Sequence, residues 1–203
     1  MNLIAQNLSA KRGQHLLFHK LNFIVQKGEC LLIKGANGAG KSTLLRILAG
    51  LFTSFKGALF LQNEQKQKIY NPYHYCHYLN YKDAMKPTLT LADNLKFWQN
   101  YYKAPKQKTE QIIHEMQLDP LQYLPFHMLS TGQKKRSAFS RILLIRRPIW
   151  LLDEPLTGLD QESTKLLTDT MEKHLQKKGI IITASHQELT LKNKKDLYIE
   201  KFH

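Results

Sequence analysis

Nine consecutive residues have the types and the spacing needed to bind a polyphosphate. They are Gly35, Ala36, Asn37, Gly38, Ala39, Gly40, Lys41, Ser42 and Thr43. The three glycines can adopt positive φ, which lets the chain curl so that successive N–H groups converge on the β- and γ-phosphates. Lys41 can bring a positive charge to the same oxygens, and Ser42 can offer a hydroxyl to Mg²⁺. The segment is therefore predicted to be a phosphate-binding loop for a nucleoside triphosphate.

Two adjacent carboxylates, Asp153 and Glu154, are predicted to complete a hydrolytic site. They follow the apolar run at residues 149–152, which is typical of a buried strand. Ligands of open α/β sheets bind at the carboxyl ends of strands. Asp153 can hold Mg²⁺ directly or through water, while Glu154, directed elsewhere by strand alternation, can polarise a water molecule aimed at the γ-phosphate. An apolar strand ending in Asp-Glu is common by itself, and the phosphate-binding loop upstream gives it this meaning.

The residues on either side of the loop predict the strand and the helix that must position it. Residues 29–34 are mostly apolar and predict a short buried strand, whereas residues 43–49 predict a helix that ends at Gly50. The positive end of that helix would face the bound anion. Further strand-like segments lie at residues 3–8, 21–25 and 58–61.

The middle of the chain has helical patterns. A helix is predicted to begin at the capping pair Thr90 and Asp93 and to bury one apolar face. Two shorter helices are predicted near residues 112–116 and 138–145, the second ending before Pro148. The apolar face of the first helix is made of Leu91, Leu95, Trp98 and Tyr102.

After Pro148 the α/β pattern returns, with a strand at 149–152, a helix at 162–177 and a strand at 180–183. Strands joined by such helices form parallel sheets. We therefore predict one α/β domain over residues 1–203, with a mainly parallel sheet core. Residues 1–81 and 148–203 are predicted to form this core together with an antiparallel β-subdomain, and residues 82–147 are predicted to form an inserted helical lobe.

Composition narrows the class of protein. Thirty Lys and Arg against sixteen Asp and Glu give a formal charge of +14, which favours an anionic partner such as nucleic acid, anionic lipid or an acidic protein. The basic residues are dispersed in short runs, which are more often solvated faces than binding stripes. The sequence has no apolar stretch long enough to span a membrane, no secretory signal and two cysteines, so we expect a cytoplasmic protein.

Three further elements carry a family resemblance. Residues 129–133 read Leu-Ser-Thr-Gly-Gln just before the strand at 149–152, Asp160 follows that strand, and His186 follows the strand at 180–183. With the phosphate-binding loop, this order resembles the ATP-binding cassette superfamily over essentially the whole chain. The resemblance implies the P-loop NTPase fold of ABC ATPases, with ATP as substrate and Mg²⁺ as its metal.

The resemblance also implies roles in a dimer. In this family the segment at residues 129–133 caps the γ-phosphate bound by the opposite subunit, so Ser130, Gly132 and Gln133 are implied to act on ATP in a head-to-tail homodimer. The N-terminus of the following helix can offer N–H groups and a dipole to an anion. Asp160 resembles the family's D-loop aspartate, and His186 resembles its switch histidine, which contacts the γ-phosphate.

Three positions depart from the family pattern. Thr131 replaces the first glycine of the signature and adds a Cβ near the phosphate. Lys82 stands where the family has a glutamine, and a charged lysine cannot ligate Mg²⁺. The aromatic residue that stacks on adenine is replaced by Lys11 or Arg12, and the guanidinium of Arg12 can stack on the base instead.

Within the superfamily, the short single cassette and the segments at residues 89–98 and 129–141 resemble the CcmA type, the ATPase subunit of the haem exporter in bacterial cytochrome c maturation. This resemblance implies integral membrane partners of the CcmB and CcmC kind and a place on the cytoplasmic face of the inner membrane. It also implies ATP hydrolysis that drives a haem-related export or release step. No nucleic acid partner is expected.

Three alternatives remain open at this stage. The chain can serve another ABC transporter, or it can be a soluble ABC ATPase that acts on nucleic acid or ribosomes, as the charge of +14 suggests. The third is that His74, Cys76 and His77 bind haem or a metal. Their alternation is more typical of a strand, and no Cys-x-x-Cys-His attachment motif is present.

Overall fold

The structure is a computed structural model, and it describes residues 1–80 and 82–200. The chain divides into two compact units. The first comprises Met1–Tyr78, Arg147–Glu154 and the described residues from Met171 onward. The second comprises Leu79–Arg146 and Pro155–Thr170. Apart from the last residue of one strand, the strands belong to the first unit, whereas the second unit is built from helices and turns.

In chain order the strands are β1 (Asn2–Arg12), β2 (His15–Val25), β3 (Cys30–Lys34), β4 (Lys56–Gln62), β5 (Lys68–Tyr70), β6 (Cys76–Leu79), β7 (Ile149–Asp153), β8 (Ile180–Ala184) and β9 (Lys194–Tyr198). The helices are α1 (Lys41–Leu48), α2 (Leu91–Tyr102), α3 (Lys106–Glu115), α4 (Thr131–Leu143) and α5 (Gln161–Gln176). Short 3₁₀ turns lie at Pro72–Tyr75, Asp119–Leu121 and Phe126–Met128.

The first unit contains two sheets. An antiparallel sheet has the order β2-β1-β4-β5, and a second sheet has the order β6-β7-β8-β3-β9. In the second sheet β8 pairs in parallel with both β7 and β3, and β3 pairs in parallel with β9. Every residue of β7 and β8 is buried, as expected for central strands of a parallel sheet that is covered on both faces.

The register of the parallel sheet determines which loops lie together. Ala184, the last residue of β8, pairs with Ile33 of β3 on one side and with Asp153 of β7 on the other. The three strands therefore end level with one another. The segments that follow them contain the glycine-rich loop, Glu154 and His186, so these groups leave the sheet at the same edge.

The second unit contains α2, α3 and α4. Helix α2 begins where the sequence predicts, because the hydroxyl of Thr90 accepts a hydrogen bond from the N–H of Asp93 at 3.1 Å. The guanidinium of Arg141 in α4 lies 4.8 Å from the ring centroid of Trp98 in α2. Its cation–π contact helps to join the two helices.

The predicted elements are confirmed, although several have different bounds. The strand predicted at residues 21–25, for example, begins at His15 as β2. The strand predicted at residues 3–8 extends to Arg12 as β1, because pairing with β2 continues to the end of the hairpin. The strand-like alternation at residues 73–78 is only partly a strand, since Pro72–Tyr75 forms a 3₁₀ turn and β6 begins at Cys76. Within residues 1–80 and 82–200, no helix combines the length and the apolar character needed to cross a membrane.

Candidate functional site

The glycine-rich loop between β3 and α1 uses backbone conformations that favour glycine. Gly35, Gly38 and Gly40 have φ of 151°, 82° and 103°. A Cβ on Gly35 would stand 2.5 Å from the carbonyl oxygen of Ile199, and one on Gly40 would stand 3.1 Å from the Cβ of Leu17. Side chains are therefore disfavoured at Gly35 and Gly40 for two reasons, the positive φ of these residues and the close approach of neighbouring parts of the chain.

Helix α1 begins directly at the end of the loop. Gly40 is its N-terminal cap residue, and the Gly40 carbonyl accepts the N–H of Leu44 at 2.8 Å. Just before it, a tight turn is closed by the N–H of Ala39, which donates to the carbonyl of Ala36 at 3.2 Å. The N–H groups of the first helical turn lack partners within the helix, and the helix dipole adds partial positive charge there. This end of the loop can therefore attract an anion.

Lys41 is buried against the loop. Its ammonium donates to the carbonyl oxygens of Gly35 and Ala36 at 2.8 and 3.1 Å, and the residue is 8% exposed. The loop carbonyls thus hold the cation where the loop curls. An anion that enters the loop meets this charge together with the N–H groups of the α1 terminus.

Ser42 and Asp153 bring two oxygen donors together. The hydroxyl of Ser42 donates to Oδ1 of Asp153 at 3.1 Å, and Asp153 is buried at 7% exposure. Hydroxyl and carboxylate oxygens suit Mg²⁺, which usually keeps several waters and takes only one or two protein carboxylates. In residues 1–80 and 82–200 there is no group of three His, Cys, Asp or Glu side chains that could hold a metal alone. The residues therefore fit a metal that shares its ligands with phosphate and water.

Glu154 leaves the strand in a conformation that alternation did not predict. Strand β7 ends at Asp153, and Glu154 has φ of 50°, in the left-handed region that few non-glycine residues adopt. The N–H of Glu154 donates to the carbonyl of Ala184 at 2.9 Å. The prediction that Glu154 is directed by strand alternation was wrong, and the turn of the backbone after Asp153 sets its direction instead.

His186 lies beside Glu154, as their predicted roles require. Its Nε2 is 3.7 Å from Oε1 of Glu154, and its side chain is about half exposed at 54%. The preceding residue, Ser185, is buried, and its hydroxyl accepts the N–H of Gln187 at 3.0 Å. This turn projects His186 from the end of β8.

The signature segment lies in the second unit, where Ser130 and Gln133 form a reciprocal cap at the start of α4. The Ser130 hydroxyl accepts the N–H of Gln133 at 3.3 Å, while the Gln133 side chain accepts the N–H of Ser130 at 2.8 Å. A Ser-x-x-Gln spacing is the sequence signal for such a capping box, and residues 130–133 carry it. The serine hydroxyl still has its own proton to donate.

Gly132 and Asp160 are packed together within the second unit. A Cβ on Gly132 would stand 2.8 Å from Oγ of Ser163 and 3.3 Å from Oδ2 of Asp160. Asp160 accepts the N–H of Ser163 at 2.7 Å at the start of α5. The bonds from Ser163 hold the pKa of Asp160 below its usual value. Both predicted site residues therefore have packing or capping partners in their own chain.

The positions that depart from the family pattern lie at the end of β1, before α2 and at the start of α4. Arg12 is exposed at the end of β1, opposite His15, and the ammonium of Lys11 lies 4.2 Å from the ring centroid of Phe55. Lys82 is exposed in the second unit. Thr131 is the first residue of α4. The β1–β2 hairpin does approach the loop, but through β2 at Leu17 and Phe18 next to Gly40, a contact that no local sequence signal predicts.

The cluster of His74, Cys76 and His77 does not form a ligand set. His74 is exposed in the 3₁₀ turn, whereas Cys76 and His77 are buried in β6 at 5% and 3% exposure. Burial raises the pKa of the Cys76 thiol to about 12, which disfavours the thiolate that metals bind. The burial of Cys76 and His77 in β6 favours a structural role for these two residues over metal or haem binding.

Sequence comparison gives a consistent family. The family model described as ABC transporter matches residues 18–157. The cytochrome c biogenesis ATP-binding export protein CcmA of Bartonella henselae is 41% identical over 202 residues, and the alignment covers 100% of this chain and 96% of the relative. The CcmA protein of Rhizobium etli is 38% identical over 206 residues, again covering 100% of this chain and 96% of the relative.

Solved structures share the fold. A putative ABC transporter ATP-binding protein from Pyrococcus furiosus has a TM-score of 0.82 at 21% identity, with 98% of each chain covered. A nucleotide-free ATP-binding cassette from an ABC transporter has a TM-score of 0.79 at 21% identity, covering 100% of this chain and 90% of that one. The matching sequences and the shared fold are consistent with a phosphate-binding loop, two carboxylates and a histidine at one sheet edge. This chain belongs to the ABC transporter family, as an ATP-hydrolysing subunit.

Proposed function

We propose that this chain binds and hydrolyses ATP as the nucleotide-binding subunit of an ABC exporter in cytochrome c biogenesis, where hydrolysis drives a haem-related export or release step. The cellular role is supported by full-length identity of 38–41% to proteins described as cytochrome c biogenesis ATP-binding export proteins. The observation that supports the chemistry is the register of Ile33, Ala184 and Asp153, which brings the three segments with predicted site residues to one edge of the sheet.

In this proposal the phosphates of ATP lie along the loop from Gly35 to Thr43. The backbone N–H groups at the start of α1 donate to phosphate oxygens, and Lys41 neutralises the negative charge on the β- and γ-phosphates. Ser42 and Asp153 would hold Mg²⁺, which would contribute Lewis-acid stabilisation of the phosphate charge. The hydrogen bond of 3.1 Å between their side-chain oxygens supports this assignment, because it brings the two oxygen donors together.

Glu154 is proposed to act as the general base. Its carboxylate would accept a proton from the water that attacks the γ-phosphorus, as the bond from this phosphorus to the bridging oxygen of ADP breaks. His186, 3.7 Å from that carboxylate, would donate a hydrogen bond to a γ-phosphate oxygen and keep Glu154 oriented. Charge stabilisation of this kind is the main contribution of a protein to phosphoryl transfer.

Hydrolysis is proposed to take place in a homodimer. Ser130, Gly132 and Gln133 of a second copy would cover the γ-phosphate, with Asp160 near the dimer contact. The capping box supports this role because it fixes the N-terminus of α4 and leaves the Ser130 hydroxyl proton available for an anion. Arg12, at the end of the hairpin whose β2 strand contacts Gly40, is proposed to stack on adenine.

The partners are proposed to be integral membrane subunits of the CcmB and CcmC kind, which would place the chain on the cytoplasmic face of the inner membrane. To test the role, the chain and these subunits are expressed together, extracted in detergent and isolated through a tag on the membrane subunit. We expect the chain to copurify with ATPase activity. Absence of the chain from the complex, with both partners folded, contradicts the proposed assembly.

Glu154→Gln tests the chemistry in the same complex. We expect ATP binding to persist, hydrolysis to fall by about 10²–10⁴-fold through loss of the general base, and an ATP-bound dimer to accumulate. In cells, this variant should abolish covalent haem staining of c-type cytochromes. Glu110→Gln, which changes an exposed glutamate of α3, serves as the control. Hydrolysis at the wild-type rate in Glu154→Gln contradicts the proposed base.

A further inference from the structure

The loop that carries His186 is fastened to the base of the phosphate-binding loop by ion pairs. Residues 185–193 connect β8 to β9 and are called the His186 loop here. Within it, Glu188 contacts two lysines: its Oε1 lies 2.6 Å from Nζ of Lys34, and its Oε2 lies 2.6 Å from Nζ of Lys194. Lys34 is the last residue of β3 and directly precedes Gly35.

A second carboxylate fixes the two lysines. Oδ2 of Asp196 in β9 is 2.8 Å from Nζ of Lys34, and Oδ1 is 3.9 Å from Nζ of Lys194. The side chains of Lys34, Lys194 and Asp196 are only 20–27% exposed, whereas that of Glu188 is 70% exposed. The neighbouring strands β3 and β9 thus present two lysines that Asp196 holds in place, and Glu188 of the His186 loop pairs with both lysines.

The rest of the His186 loop is also tied down, on both sides of Glu188. Before it, the Ser185 hydroxyl accepts the N–H of Gln187 at 3.0 Å. After it, Leu189 is buried at 3% exposure, and the N–H of Lys192 donates to Oε1 of Glu172 at 2.8 Å. His186 is therefore held between the turn at Ser185 and the ion pairs of Glu188.

The charge of Glu188 is constant over the working range of an enzyme. Its hydrogen bonds to Lys194 and Lys34 lower the pKa of the carboxyl to about 2. The pKa of Lys34 is raised by its hydrogen bonds to Asp196 and Glu188. Because Glu188 is exposed, salt weakens these pairs in a way that pH does not.

We propose that Glu188 is a positioning residue for ATP hydrolysis, which holds His186 against Glu154 by pairing with Lys34 and Lys194. The proposal rests on the proposed role of His186. Since Lys34 leads directly into Gly35, the same pairs fix the distance between the histidine and the phosphate-binding loop. Glu188 touches neither nucleotide nor water in this scheme and acts through His186.

The test compares Glu188→Gln, Glu188→Asp and His186→Ala with wild type, in the complex with its membrane subunits. Glu110→Gln is the matched control, because it removes an exposed glutamate charge from α3. We measure kcat and KM for ATP, nucleotide affinity with a fluorescent ATP analogue, and the dependence of kcat on KCl between 50 and 500 mM, a range chosen to span about a threefold change in screening length.

Glu188→Gln is expected to lower kcat about 5-fold, with KM for ATP and nucleotide affinity unchanged, because only the histidine is displaced. In wild type and in Glu110→Gln, kcat should fall as KCl weakens the ion pairs of Glu188. In Glu188→Gln, which lacks these pairs, kcat should depend less on KCl. Glu188→Asp, which keeps the charge on a shorter stem, should recover part of the rate.

The outcomes separate this inference from the proposed function. A wild-type kcat and salt dependence in Glu188→Gln, with His186→Ala inactive, overturns the inference and leaves the proposed function intact. If Glu188→Gln lowers both the nucleotide affinity and the melting temperature of the protein, the inference is also overturned, because that result indicates general destabilisation. Full activity of His186→Ala overturns both the role of His186 and the inference that depends on it.

Discussion

Ser42 and Asp153 are 111 positions apart in the sequence and share a hydrogen bond of 3.1 Å. One residue belongs to the first turn of α1, and the other ends β7. The bond therefore joins the phosphate-binding loop directly to the strand that leads into Glu154. It thereby links the two halves of the proposed hydrolytic site through their side chains.

Ser42→Ala is expected to raise the Mg²⁺ concentration for half-maximal hydrolysis by about 10–100-fold, because a hydroxyl ligand and its bond to Asp153 are lost. Nucleotide binding in EDTA should change little. Metal titrations of ATPase activity measure the effect, and Ser42→Thr, which keeps the hydroxyl, is the control. Equal metal requirements in wild type and Ser42→Ala would exclude this ligand.

Gly35→Ala and Gly38→Ala should differ in stability although both lie in the loop. A Cβ at position 35 meets the Ile199 carbonyl at 2.5 Å, whereas a Cβ at position 38 meets nothing within 4 Å. Both variants carry the cost of positive φ, about 1–2 kcal/mol, and Gly35→Ala adds about 1–3 kcal/mol of overpacking. Urea unfolding at constant m-value checks the order, and equal midpoints would contradict it.

Asp160→Ala should lower the melting temperature by a few degrees, because Asp160 accepts the N–H of Ser163 at the start of α5. Asp160→Asn keeps a side-chain oxygen and should lose less. The pKa of Asp160 is lowered from its ordinary 3.8 by its bonds from Ser163, so its charge contributes stability above that ordinary value and loses it as pH falls through the lower folded pKa.

The difference between wild type and Asp160→Asn should therefore persist from pH 7 down to about pH 4. Thermal melts in a buffer series of constant ionic strength measure it. A difference that stays constant as the pH falls below about 4 would mean that the folded pKa is not lowered.

The two cysteines should be unreactive in the native protein. Cys30 is 0% exposed and Cys76 is 5% exposed, and burial raises the pKa of each thiol to about 12. At pH 8 the thiolate fraction is on the order of 10⁻⁴, so labelling by DTNB should follow unfolding. As the control, both thiols should react completely and rapidly in about 6 M guanidinium chloride, which unfolds the protein. Release of one equivalent from native protein within minutes would contradict the prediction.

Local patterns were sufficient for most of the fold. The Thr90 cap places the start of α2, and the apolar run at 149–152 places β7, because both signals act between residues close in sequence. The segment at Pro72–Tyr75 shows the limit of such patterns. Alternating aromatic and histidine residues suggested a strand there, but proline at the first position and a left-handed Asn71 begin a 3₁₀ turn.

The candidate residues could also be predicted from the sequence, but their arrangement depends on distant contacts. The level ends of β3, β7 and β8 are set by sheet register, and the φ of 50° at Glu154 has no sequence signal in a glutamate. The pairing of Lys34 with Glu188 joins positions 154 apart, where neither residue type nor spacing indicates a partner.

The hydrogen bonds from Lys41 to its own loop change what nucleotide binding means for this protein. Since the ammonium already has two carbonyl partners, an incoming phosphate exchanges for them or shares the cation with them. Binding is then a replacement of internal ligands, and its enthalpy is the difference between two sets of charged hydrogen bonds. Replacing Lys41 consequently removes an attraction for ATP and, in the same step, a restraint that shapes the loop before ATP arrives.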